Sequence, residues 1–177
     1  AELLGRWPEN AIDPSLTRIS AIMDLIGEPQ RAYPVIQVTG TNGKSSTARM
    51  IASLLRALGL RTGLYTSPHL VDMRERIEID GEPISPQMFM QVAGDVAPFI
   101  ATVDARVEEE GGTPVTYFET LTAIAYAAFA DAPVDVAVVE VGVGGTWDAT
   151  SVCQPQVAVV TRVAMDHADI LGDRIDL

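Results

Sequence analysis

Cysteine is all but missing: Cys153 is the one thiol in 177 residues. A lone cysteine cannot close an internal disulfide, which fits a reducing compartment and gives this residue a packing role only. Cations are scarce as well. Lys and Arg number 12 against 24 Asp and Glu, a formal charge of −12. Such a balance argues against nonspecific nucleic-acid binding, which needs cations to displace counterions, but leaves room for a local positive pocket. No run of about 18 apolar residues exists for a membrane span, and the N-terminus lacks the basic, apolar, small-residue order of a cleaved signal. The expectation is a cytoplasmic protein with no membrane and no nucleic-acid partner. Internal repeats and low-complexity linkers are absent too. So are the G-x-S-x-G turn of a Ser-His-Asp hydrolase and the N-K-x-D that would read guanine in a GTPase-like switch.

What is present is ordinary for an α/β domain, 47% hydrophobic and 20% charged. The most informative stretch runs from Tyr33 to Leu58. Val35–Val38 is a β-branched run that suits a buried strand. It breaks into Gly40-Thr41-Asn42-Gly43-Lys44-Ser45-Ser46, after which Ile51, Leu54, Leu55 and Leu58 form one stripe of a helix and Gly59 stands where a C-terminal cap is wanted. A strand, a glycine-rich turn and a helix start make a polyphosphate cradle, because the first N–H groups of the helix lack partners and its dipole favours anions. Lys44 would reach the terminal phosphates and the Ser45 hydroxyl a Mg²⁺ ion. The general phosphate-loop pattern wants a glycine five residues before Gly43, where this chain has Val38. A plain Gly-Asn turn with a solvated lysine is the competing reading.

Elsewhere helices and strands alternate. Asp13-Pro14-Ser15 reads as a helix start, with Leu16, Ile19, Met23 and Ile26 inward and Gly27 at the end. Arg61–Thr66 is a second strand leading into Ser67-Pro68-His69-Leu70, and Asp80-Gly81 signals a hairpin turn. Ser85-Pro86 opens a helix that Pro98 interrupts or kinks. Glu108–Gly112 reads as a solvated loop. Thr116 and Glu119 have capping-box spacing before a helix carrying Phe118, Leu121, Ala125 and Phe129. Val134–Val141 and Gln156–Thr161 read as parallel strands covered on both faces. The expected fold is therefore α/β: a doubly wound, mostly parallel sheet with helices on both faces. Ligands of such sheets sit beyond the carboxyl ends of the strands. Four polar clusters fall there: the loop to Ser45, Ser67-Pro68-His69, Glu140, and Asp166-His167. A carboxylate in an apolar strand is costly alone, so Glu140 is expected to ligate Mg²⁺. His167 is a weaker candidate ligand, and His69 reads as loop structure.

Together the motifs resemble the folylpolyglutamate synthase/dihydrofolate synthase family of the Mur-ligase superfamily. They are TGTNGKSS (39–46), TSPHL (66–70), RERIEIDGEPIS (74–85), TYFETLTA (116–123), DVAVVEVGVGGTWDAT (135–150) and MDHADILG (165–172). That superfamily's loop has no earlier glycine, which accounts for Val38. The resemblance implies an ATP-dependent amide ligase that adds L-glutamate to dihydropteroate or a folate through an acyl phosphate. It implies ATP phosphates on Gly40, Thr41, Asn42, Gly43, Lys44, Ser45 and Ser46. One Mg²⁺ would be held by Ser45, Ser67 and Glu140 and a second by His167, with a monovalent cation left open. Lys44, Glu140 and His167 would be catalytic. Pterin contacts fall on Thr17, Arg18 and Ile19, on Thr116, Tyr117, Phe118 and Glu119, and on Trp147, Asp148 and Ala149.

Two departures stand out. Thr146 replaces the family's arginine and Ser151 its asparagine. The chain also stops before the family's metal-site lysine and glutamate-binding C-terminal domain. Residues 1–177 are thus expected to be the ATP-binding N-terminal part of a longer protein, monomeric when full length, and inactive alone. The alternatives are another Mur-type ligase or a nucleotide-binding module without ligase activity.

Overall fold

A computed structural model describes residues 15–164. Six strands form one sheet in the order β4-β3-β2-β5-β1-β6: β1 (Val35–Thr39), β2 (Thr62–Tyr65), β3 (Ile77–Ile79), β4 (Glu82–Pro83), β5 (Val136–Glu140) and β6 (Val157–Val160). The four strands β2, β5, β1 and β6 run parallel, while β3 and β4 add an antiparallel edge. Asp80 and Gly81, both at positive φ, make the two-residue turn between these last two, a left-handed geometry that matches strand twist. Register sets Val38 beside Glu140 and Thr39 beside Val160, so the parallel strands end along one edge of the sheet.

Helix α2 (Lys44–Ala57) covers one face, and α1 (Thr17–Leu25), α3 (Pro86–Glu109) and α4 (Tyr117–Asp131) build the larger core on the other. Three expectations need correction. The buried stripe of α2 is Ala48 and Ala52, flanked by Ile51 and Leu55; Leu54 and Leu58 are 67% and 78% exposed. Small residues let the helix lie close to the sheet, and the bulkier leucines turn outward. Among the described residues β6 stands at the edge of the sheet and is not covered, with Val160 64% exposed. Pro98 does not break α3. It forfeits one backbone bond, but Val92, Val96, Ile100 and Val103 are buried on both sides of it, and that common face keeps the helix continuous.

Helix α1 begins at Thr17, where Ser15 Oγ accepts the Thr17 N–H, and the expected cap residues Asp13 and Pro14 lie outside the described residues. No described helix is long and apolar enough to cross a membrane.

Candidate active site

The sheet's carboxyl edge gathers three of the expected groups. Ser45 opens α2 and its Oγ donates to Glu140 Oε1 at 2.8 Å; the Ser67 N–H donates to Oε2 at 3.2 Å. Glu140 ends β5 and is 2% exposed. Burial raises its pKa above the usual carboxylate value, opposed by the hydrogen bonds from Ser45 and Ser67 and by the charges of Lys44 and Arg49. A desolvated carboxylate so placed is stabilised in its ionised form by an added cation. Among the described residues no cluster of three His, Cys, Asp or Glu could hold a metal. Glu140 supplies one carboxylate and Ser45 a hydroxyl in contact with it, while Ser67 meets Glu140 through its backbone N–H. The carboxylate and hydroxyl are hard oxygen donors that suit Mg²⁺, which is usually held by one or two carboxylates with water and substrate phosphates. His167 lies outside the described residues.

The loop divides into two halves. Gly40–Asn42 is stitched to the segment after β6: Thr41 and Asn42 N–H groups donate to the Arg162 carbonyl at 2.9 and 3.3 Å, and Thr41 Oγ1 donates to the Ala164 carbonyl at 3.0 Å. Those two N–H groups are therefore engaged by protein. Gly43 sits at φ 84° as the N-terminal cap of α2, and the first helical bond runs from Thr47 to its carbonyl. The N–H groups that helix geometry leaves over belong to Gly43, Lys44, Ser45 and Ser46. Lys44, the chain's one lysine, bends back toward the Thr41 carbonyl at 3.5 Å. The stitching was not visible in sequence, because Arg162 and Ala164 carry no motif and sit on a distant strand end.

The expected pterin contacts are spread over three places. Ile19 is enclosed in the core, Arg18 is buried against Glu119, and Thr17 is exposed. Arg18 Nε meets both Glu119 oxygens at 3.1 and 3.0 Å, while Glu119 also accepts the Thr116 N–H at 2.8 Å and Thr116 returns the capping bond. Glu119 thus caps its own helix and pins α1. Tyr117 is buried, whereas Phe118 is half-buried and lies against Gly142 at the start of the 142–147 loop.

Asp148 is buried and anchors that loop, accepting from the Val143 and Thr150 N–H groups and from Thr150 Oγ1. Ala149 is buried beside it, and Trp147 stands 61% exposed. Thr39 Oγ1 donates to the Gly144 carbonyl at 2.7 Å, tying the loop to the end of β1. Thr146 is exposed, and Ser151 Oγ closes onto the Gly145 carbonyl at 2.6 Å.

Comparison with known proteins adds four findings. Residues 38–176 match the Mur ligase middle domain. The dihydrofolate synthase/folylpolyglutamate synthase of Mycobacterium tuberculosis is 57% identical over 170 residues, covering 94% of this chain and 35% of that protein. Among solved structures, M. tuberculosis folylpolyglutamate synthase complexed with ADP superposes with a TM-score of 0.89 at 55% identity, over 98% of this chain and 38% of that one. E. coli FolC in complex with DHPP and ADP gives 0.85 at 35% identity, over 97% and 41%. The chain therefore spans somewhat more than a third of the length of these relatives.

Proposed function

The chain belongs to the Mur ligase family, in the branch of the folylpolyglutamate and dihydrofolate synthases, and on that premise we propose that it carries the nucleotide side of an ATP-dependent ligase. The reaction joins the amine of L-glutamate to a carboxyl group of dihydropteroate or a folate. ATP's γ-phosphoryl group passes to that carboxylate, breaking the bond to ADP and making an acyl phosphate. The glutamate amine then attacks the acyl carbon, phosphate leaves, and an amide remains.

The protein's share is positioning and charge neutralisation. The N–H groups of Gly43–Ser46 and the α2 dipole hold the phosphates, and Lys44 swings from the Thr41 carbonyl to the terminal one. Ser45, Ser67 and Glu140 would hold one Mg²⁺ and His167 a second. Bound Mg²⁺ neutralises charge on the transferring phosphoryl oxygens. Phe118, Thr17 and the Trp147 loop are where we put the pterin. The observation that carries this reading is Glu140, a buried strand-end carboxylate held by Ser45 on one oxygen and by the Ser67 N–H on the other. Relatives solved with ADP support it.

A single lysine makes the test direct. With Mg²⁺ present, the ATP analogue AMPPCP at ten times its Kd should slow acetylation of Lys44 about tenfold by occupancy alone, read by mass spectrometry. An unchanged rate contradicts nucleotide binding at this loop. Dihydropteroate should raise the unfolding midpoint; a midpoint raised instead by a cell-wall precursor would move the chain to another Mur-type ligase.

A further inference from the structure

We propose that Arg76 and His69 form a positioning pair that sets the aim of Glu140, an inference resting on the metal role given to Glu140 above. Arg76 closes the 3-10 turn Met73–Arg76 and is among the largest fully buried side chains, at 1% exposure. It grips the loop after β2 at two points. Its backbone carbonyl accepts the Thr66 N–H at 2.9 Å, and its Nε donates to His69 Nδ1 at 2.8 Å. Between those two points stands Ser67, whose N–H reaches Glu140 Oε2. The guanidinium also lies over the Tyr117 ring, 5.7 Å from its centroid, which ties the grip to the first turn of α4.

The chemistry of the bond is directional. An N–H donor at Nδ1 needs the lone pair there, so His69 is held as the Nε2–H tautomer. The rest of the loop has its own anchor, since Glu75 accepts the N–H groups of Leu70, Val71 and Asp72. Leu70 and Val71 are 92% and 90% exposed, so among the described residues no packing holds that part of the loop. Arg76 thus holds the chain on either side of Ser67, with Arg49 Nη2 adding a longer bond to Thr66 Oγ1 at 3.4 Å. The Ser67 bond to Glu140, at 3.2 Å, is already long, and a shift of a few tenths of an ångström would take it past hydrogen-bond range. Glu140 would then keep only Ser45 and turn freely about it.

Lys44 acetylation under AMPPCP, with Mg²⁺ titrated, measures this without turnover. Groups that orient a metal ligand typically alter metal affinity by about 10–100-fold, so His69→Ala should raise the Mg²⁺ concentration for half-protection about tenfold. His69→Asn keeps an acceptor close to the Nδ1 position and should stay near the unaltered protein. Arg76→Gln should follow His69→Ala. Its unfolding midpoint separates a lost fold from a lost aim, and His69→Ala, at a half-buried loop position, does not depend on that control. The pair has no positioning role if His69→Ala leaves the Mg²⁺ midpoint unchanged, or if His69→Asn fails as badly as His69→Ala. Nor has it one if protection falls equally with and without Mg²⁺. Absence of any nucleotide protection in the unaltered protein would instead overturn the ligase reading, and this inference with it.

Discussion

Gly40 and Gly43 occupy the same loop for different reasons. At Gly43 a Cβ would meet nothing within 4 Å, so its glycine serves the left-handed backbone that turns β1 into α2. At Gly40 an added Cβ would stand 2.1 Å from Thr161 Oγ1, on a backbone at φ 128°. Gly40→Ala combines steric overlap with strain and should destabilise the protein by about 2 kcal/mol or more, read as a lower urea midpoint; an unchanged midpoint would contradict the close approach. The sequence marks both glycines as loop residues but not this difference, because Thr161 is 121 positions from Gly40 and meets it only across the β1–β6 pairing.

Asp148 supplies a pH test at the same scale. Burial raises its pKa above the ordinary 3.8, outweighing the hydrogen bonds from Thr150 and Val143 that lower it. A folded-state pKa above the unfolded one means the contribution is fully present below the unfolded value and is lost as pH rises through the folded value. Relative to Asp148→Asn, the unaltered protein should lose stability as pH climbs from 3.8 upward. Urea midpoints of the two proteins across that range check it, and a gap that widens in favour of Asp148 would contradict it.

At the scale of elements, the Arg18–Glu119 pair joins α1 to the capped start of α4. Arg18→Ala would leave a buried carboxylate with only its capping bonds, a change that typically costs about 3–5 kcal/mol. Adding Glu119→Gln removes the stranded charge and should recover part of that loss, since residues in contact couple in a double-mutant cycle. Purely additive urea-unfolding energies would contradict the pairing. Here legibility is uneven for a plain reason. Thr116 and Glu119 are three residues apart, so the capping box is local and readable. Arg18 is 101 positions from Glu119 and carries no such spacing. In α2 the apolar period was readable, but which apolar side faces the sheet was not. Ala48 and Ala52 win because they permit close approach, which hydrophobicity alone does not rank.

At the scale of the whole molecule, the parallel sheet brings together residues that are scattered along the chain. Ser45 and Glu140 are 95 positions apart and Ser67 and Glu140 73, yet all three meet at one strand edge. That convergence was legible, because parallel strands place their carboxyl ends together and each polar cluster follows a strand. The strand order was not. Nothing in Val157–Val160 says that it stands at the edge of the sheet the described residues form, since an apolar run of this length suits a covered strand equally well. Nor does the loop announce that Arg162 and Ala164 will occupy its first half.

The ligase reading stands on Ser45, Ser67 and Glu140 serving one divalent cation beside a nucleotide. Anomalous scattering from crystals of this chain grown with AMPPCP and Mn²⁺ in place of Mg²⁺ tests that most directly. The expected result is a manganese peak bonded to Ser45 Oγ and a Glu140 carboxylate oxygen, with a phosphate oxygen completing the contact. Nucleotide bound with its manganese away from Glu140, or a Glu140 still engaged only by Ser45 and the Ser67 N–H, would contradict it.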